Sequence, residues 1–112
     1  MADELPPHWF HILLSLGDGP RHGLAIVDDI AERTGGRVQL WPGVLYVALK
    51  KMAAAGLIAD AAPPPGFTAA AGKPRFFKLT AFGKRRCQEE ANYLAGIVAS
   101  ARSRRLLKRG AR

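Results

Sequence analysis

Apolar residues recur at three- and four-residue steps in four stretches of the chain, separated by glycine- and proline-rich breaks. Trp9, Ile12, Leu13 and Leu16 mark a first helix after Pro6-Pro7, and Gly17-Asp18-Gly19-Pro20 ends it. A second helix starts near Arg21-His22-Gly23, turns Ile26, Val27 and Ile30 inward, and closes at Gly35-Gly36. Asp28, Asp29, Glu32 and Arg33 point outward, and Asp29 and Arg33, four apart, are within pairing reach. The third stripe, Leu45, Ala48, Leu49 and Met52, predicts a helix over 42–56. Pro42 suits its first position, where a missing N–H is no loss, and Gly56 suits the left-handed residue that ends it. Two short strands follow, Leu57-Ile58-Ala59 and Arg75 to Leu79. Between them, the Pro-, Ala- and Gly-rich residues 61–74 read as irregular. Thr80 is an N-cap for a fourth helix running to about Lys108.

Helix, helix, helix, strand, long loop, strand, helix is the order of a winged helix-turn-helix, a mainly α fold with a small β-hairpin. The chain divides into a winged helix-turn-helix DNA-binding domain over 1–79, a C-terminal dimerisation helix over 80–108 and a basic tail at 109–112. In the last helix, Cys87, Ala91, Leu94, Val98 and Ala101 fall on a heptad seam, flanked by Tyr93 and Ile97. A stripe that extends beyond a three-helix body needs a cover. It either folds back on the first helix or, as preferred here, meets a second copy in a homodimer.

At 112 residues, 48% of them apolar, the chain has the size and content of one folded domain. No apolar run reaches the roughly 20 residues of a membrane span. The acidic start Met-Ala-Asp-Glu fits neither a signal nor a transit peptide. A single cysteine, Cys87, excludes an internal disulfide. A cytoplasmic protein with no membrane partner and no cofactor is expected. The net charge of +8 is unevenly placed. Residues 37–86 hold nine basic residues against Asp60 alone, residues 100–112 hold six and no acid, and residues 1–36 are acidic. A basic block that contains an ordered helix favours nucleic acid.

The third helix supplies the chemistry. Its outward face presents Gly43, Tyr46, Val47 and Lys50, with Val44 and Lys51 at the edges, and no acid. In a winged helix-turn-helix this helix enters the major groove and the hairpin touches the backbone beside it. Lys50 and Lys51 then meet phosphates, and the Tyr46 hydroxyl donates to one. Val44 and Val47 have no hydrogen-bonding groups, which leaves thymine methyls or simple filling of the groove. The wing adds Lys73, Arg75 and Lys78, and free N–H groups at the start of the second helix, near Arg21 and His22, take a further phosphate. The expected partner is double-stranded DNA.

These residues also resemble the PadR family of bacterial transcriptional regulators. The matching pieces are Ile12 to Leu16 with Gly19-Pro20-Arg21-His22-Gly23, Pro42 to Leu49 with Ala55-Gly56-Leu57-Ile58, and Arg75 to Gly83 with its Leu-Thr-x-x-Gly. The resemblance covers roughly residues 8–95. It implies a homodimer joined through the C-terminal helix, bound to a palindromic operator and usually repressing. The absence of a separate C-terminal domain is similar to the shorter branch of that family. Three departures stand out: Val44 where the family usually has Thr or Ser, Gly23-Leu24 where it often has Gly-Tyr, and a long, proline-rich wing loop. Small effectors are known for some members. In the short branch a flat aromatic compound is stacked by tryptophan of the C-terminal helix. This chain has no tryptophan there, and Trp9, Phe10, Tyr93 and Ile97 are the candidates for such a pocket, with plain dimer core as the simpler reading.

Enzyme and metal readings fail on inventory. Asp28 and Asp29 are adjacent, point about 100° apart on a helix, and read as a solvated face. His8 and His11 share a face, but no cysteine or carboxylate completes a metal site. Cys87 on the seam reads as packing rather than a redox sensor. Beside the DNA-binding repressor stand two alternatives: a winged-helix protein-interaction module with a basic surface, and an RNA-binding winged helix.

Overall fold

The four apolar stripes become four helices. In a computed structural model, which describes residues 4–67 and 74–108, the order is α1 (Pro7–Ser15), β1 (Arg21–His22), α2 (Gly23–Arg33), α3 (Pro42–Ala54), β2 (Ile58–Ala61), β3 (Phe76–Leu79) and α4 (Ala81–Ser103). Strand β3 lies in the middle of an antiparallel sheet. Ile58 faces Leu79 and Ala61 faces Phe76 on one side, while Arg21 faces Phe77 and His22 faces Phe76 on the other. The sheet corrects the sequence reading at two points. Arg21 and His22 form a short strand on the free edge of β3, with His22 also the N-cap of α2, which starts at Gly23 near the expected place. Strand β2 also extends to Ala61, into the stretch read as irregular.

The core is built from the stripes. Ile12, Leu13 and Leu16 of the first helical segment meet Ile26 and Ile30 of α2 and Leu45, Ala48, Leu49 and Met52 of α3, with Leu57, Ile58 and Phe77 closing it from the sheet side. A polar network ties α1 to α2 beside it. The buried Ser15 hydroxyl donates to Asp29 Oδ2 at 2.8 Å and accepts from Arg33 at 2.9 Å. Arg33 Nε also donates to Asp29 at 2.8 Å, and Arg21 Nε donates to the Ser15 carbonyl at 2.7 Å. The expected Asp29–Arg33 pair is present, but Asp29 is not part of a solvated face as expected. Ser15, fourteen residues earlier in the chain, draws it into the joint between the helices.

Gly56 takes φ +80°, and the N–H groups of Gly56 and Leu57 bond back to the carbonyls of Ala53 and Met52, which ends α3 as expected. The same corner seats the last helix. Thr80 Oγ1 accepts from Gly83 N at 2.9 Å and donates to the Gly56 carbonyl, and Thr80 N donates to the Leu57 carbonyl at 3.1 Å. Helix α4 passes so close to Leu57 that a Cβ on Gly83 would lie 1.9 Å from its carbonyl oxygen. The Leu-Thr-x-x-Gly sequence thus encodes a joint, with a cap at one position and a bare backbone at the other.

From this joint α4 runs out of the body. The radius of gyration, 15.7 Å, exceeds the roughly 13 Å of a compact chain of this length. The helix ends at Ser103, short of Lys108. Arg105 adopts φ +60°, and the N–H groups of Arg105 and Leu106 bond back to the carbonyls of Arg102 and Ala101. No residue there signals this stop, since arginine rarely adopts that conformation.

Candidate nucleic-acid interface

Helix α3 divides cleanly. Leu45, Ala48, Leu49 and Met52 are buried, and Gly43, Val44, Tyr46, Val47, Lys50 and Lys51 are all exposed, with no acid on the helix. The Tyr46 ring lies across the start of α2, where a Cβ on Gly23 would fall 2.9 Å from its hydroxyl oxygen. Glycine at 23 thereby lets α2 and α3 approach closely, which fixes the angle of the helix pair. Two further exposed apolar residues stand at this end, and neither was assigned to the interface from the sequence. Trp41 is the N-cap residue of α3, and Leu24 stands in the first turn of α2. A signal for Trp41 was available: N-caps favour Ser, Thr, Asp or Asn, and tryptophan has no acceptor to offer.

The start of α2 is organised differently from the expectation. His22 Nδ1 accepts from Ala25 N at 3.2 Å, so one of the N–H groups assigned to a phosphate already has a partner. The His22 ring stacks edge-on against Phe76 at 5.3 Å and packs with Phe67 at 6.0 Å, while Phe67 meets Phe76 at 4.9 Å. This aromatic group holds the described part of the wing loop against β1. Arg21 lies under it, bound to Ser15 and within 4.0 Å of Asp29. In the wing, Arg75 pairs with Asp60 across the strands at 2.7 Å and lies over the Phe77 ring at 5.1 Å, with both charged groups largely exposed. The one acid of the basic block therefore faces one of the proposed phosphate contacts. Lys73 lies outside the described residues. Lys78 is exposed and borders a groove with Leu13, Leu14, Lys84 and Cys87.

The C-terminal seam splits in two. Cys87, half-buried, packs against the core of its own chain, and burial pushes its thiol pKa up, away from the thiolate that reacts. Ala91, Leu94 and Val98 are exposed, Ala101 half-buried, and the flanking Tyr93 and Ile97 exposed. The structure does not gather the effector candidates. Trp9 borders two grooves, of about 390 and 240 Å³, and Phe10, Tyr93 and Ile97 border neither. Two half-buried groups at the α1–α2 joint have shifted acidities. Hydrogen bonds from Arg33 and Ser15 hold the Asp29 carboxyl below its ordinary range, and burial, aided by the Arg33 charge, lowers His11. Among the described residues no group of three or more His, Cys, Asp and Glu is placed to hold a metal ion, and no helix is long and apolar enough to cross a membrane.

The family model for transcriptional regulators of the PadR-like family matches residues 12–89. The chain belongs to this family. PadR-like proteins are transcriptional regulators rather than enzymes, and the four helices with a three-stranded sheet are their winged-helix fold. A PadR-like transcriptional regulator from Bacillus cereus superposes with a TM-score of 0.71 at 14% identity, over 90% of this chain and 93% of that one. A PadR-like transcription factor from Bacteroides fragilis gives 0.67 at 20% identity, over 87% and 88%. PadR from Bacillus subtilis, solved in complex with operator DNA, gives 0.63 at 22% identity, over 77% of this chain and 47% of that one. At these identities the likeness is one of fold. No curated protein matches the chain.

Proposed function

We propose that this PadR-like regulator is a cytoplasmic homodimeric repressor that binds a palindromic operator, with α3 in the major groove and the β2–β3 wing on the adjacent backbone. The observation that carries the reading is the outward face of α3, which is exposed along its length, carries Lys50 and Lys51 and contains no acid. Lys50, Lys51 and Tyr46 contact phosphates, which set affinity and register, while Gly43, Val44 and Val47 face the bases. Arg75 joins them by exchanging Asp60 for a phosphate, and Arg21 and His22 support the contact by shaping the start of α2. The relative from Bacillus subtilis was solved on operator DNA, which supports the same use of the fold here.

The second half of the reading rests on α4. Leu94, Ile97 and Val98 lie exposed on a helix that leaves the body, and a second α4 covers them by the same seam. Two reading helices related by a two-fold axis fix the palindromic form of the site. A dimer seated on such a site blocks transcription, which makes the protein a repressor.

The test is fluorescence anisotropy on duplexes enriched from a random-sequence pool. Binding is expected to weaken steeply with salt, and a Tyr46→Phe, Lys50→Ala, Lys51→Ala triple variant is expected to lose most of it. Unchanged binding in the triple variant overturns the assignment of α3. No duplex binding at about 0.15 M salt favours the protein-interaction module instead. A monomer in light scattering removes the palindrome.

A further inference from the structure

Three exposed apolar side chains stand at the start of α3, outside its buried stripe. Trp41 is 75% exposed and its side chain makes no capping hydrogen bond. Val44 and Val47, in the two turns that follow, are 45% and 55% exposed. A cluster of exposed apolar residues on a folded domain marks a place where another molecule is met. Lys50 and Lys51 stand on the same side of the helix with no acid among them, so that molecule is negatively charged where the helix meets it.

The inventory of these side chains limits what they recognise. Valine has neither donor nor acceptor, indole has a single N–H donor, and Gly43 adds nothing. In the major groove guanine is read by paired donors, adenine by a side-chain amide and cytosine by an acceptor. The first two turns of α3 hold none of these groups pointed outward except Tyr46, whose hydroxyl lies over Gly23. One mark remains, the 5-methyl group of thymine, which is read by apolar contact. We propose that Trp41, Val44 and Val47 form a methyl-reading edge, so that the preferred duplex places thymines under the N-terminal turns of α3. The inference rests on the DNA-binding reading above and adds to it the chemical feature that is read and the part of Trp41.

The test isolates the methyl group. A duplex enriched from the random pool is rebuilt with deoxyuridine in place of every thymidine, which removes the 5-methyl groups and leaves the base-pairing edges intact. Binding to the rebuilt duplex is expected to weaken about fourfold for each methyl group that the protein buries. Trp41→Ala and Val44→Ala proteins, whose thermal melts stay at the wild-type position because both residues are exposed, are each expected to show a smaller difference in affinity between the two duplexes than the wild-type protein. Equal affinity of the wild-type protein for the two duplexes overturns the inference and leaves the DNA-binding reading standing. Failure to enrich any duplex overturns that reading and the inference with it. A Trp41→Ala protein with unchanged affinity but a changed mass in light scattering assigns the patch to contact between copies, and that also overturns the inference.

Discussion

Helices α3 and α4 carry apolar stripes of similar make, and the chain treats them in opposite ways. The stripe of α3 is wholly covered, so the helix is held on one side and free to meet another molecule on the other. The stripe of α4 is covered only at its start, by Gly83 against Leu57 and Cys87 against the core, and from Ala91 to Val98 it faces outward. One helix is completed by its own domain and the other is not. Where a helix is completed by its own chain, its outward residues are free to specialise. Where it is not, its apolar residues stay exposed on the single chain, and this is the face that the proposed second copy covers.

Substitutions that separate these two roles test the contrast. The largest effect is expected at the joint between them. Gly83→Ala drives a methyl into the Leu57 carbonyl and is expected to destabilise the fold by about 3 kcal/mol or more in urea unfolding. Leu45→Ala removes a fully buried side chain from the α3 stripe and should lose about 3 kcal/mol, without any dependence on protein concentration. Asp29→Asn breaks charge-assisted bonds to Arg33 within the α1–α2 joint, at about 2 kcal/mol near neutral pH.

Acid supplies two finer measurements on that joint. The folded carboxyl of Asp29 titrates below its ordinary value of 3.8, so its stabilisation is complete above that value and is lost as pH falls below it. Asp29→Asn is expected to lack this segment of the stability–pH curve. Burial and the Arg33 charge lower the His11 pKa in the fold, while the unfolded chain takes up a proton near 6.5, so stability falls as pH drops through and below that value. His11→Gln should flatten the curve below about pH 6.5 while changing stability at pH 8 by less than about 1 kcal/mol. The smallest effect on unfolding is expected at Leu94. Leu94→Ala in dilute, monomeric protein should change stability by less than about 0.5 kcal/mol, whereas light scattering at high concentration should show a weakened dimer. A large loss at low concentration would show that α4 is covered by its own chain and would abolish the contrast.

Much of this was legible in the sequence because it is local. A helix stripe, a Pro42 start, a Gly56 stop and a Thr80 cap depend on residues a few positions apart, and each stands where the pattern placed it. The parts that were not legible depend on residues far apart. Strand β1 is two residues long and exists only because β3 has a free edge beside it. Asp29 looked like solvated charge until Ser15 of α1 was placed against it. The pairing of Arg75 with Asp60 requires the strand register, which the composition of the block does not contain. At the candidate interface the lysines were found by charge counting. Trp41 was missed because its interest lies in its exposure, and exposure is not written in a single residue type.

The seating of α4 has a mechanical consequence. The helix has 23 residues, a length of about 35 Å, and it is held against the body in its first two turns, by Gly83 at Leu57 and Cys87 at the core. As a rigid rod turning about Gly83, it magnifies small rotations: a swing of about 5° carries its far end about 3 Å. Any force on the distal part of α4 therefore reaches the Leu57 corner as a torque, and that corner is also the end of α3. The bare backbone at Gly83 is the fulcrum of this lever, and in the proposed dimer its stiffness would set how much the spacing of the two α3 helices can vary.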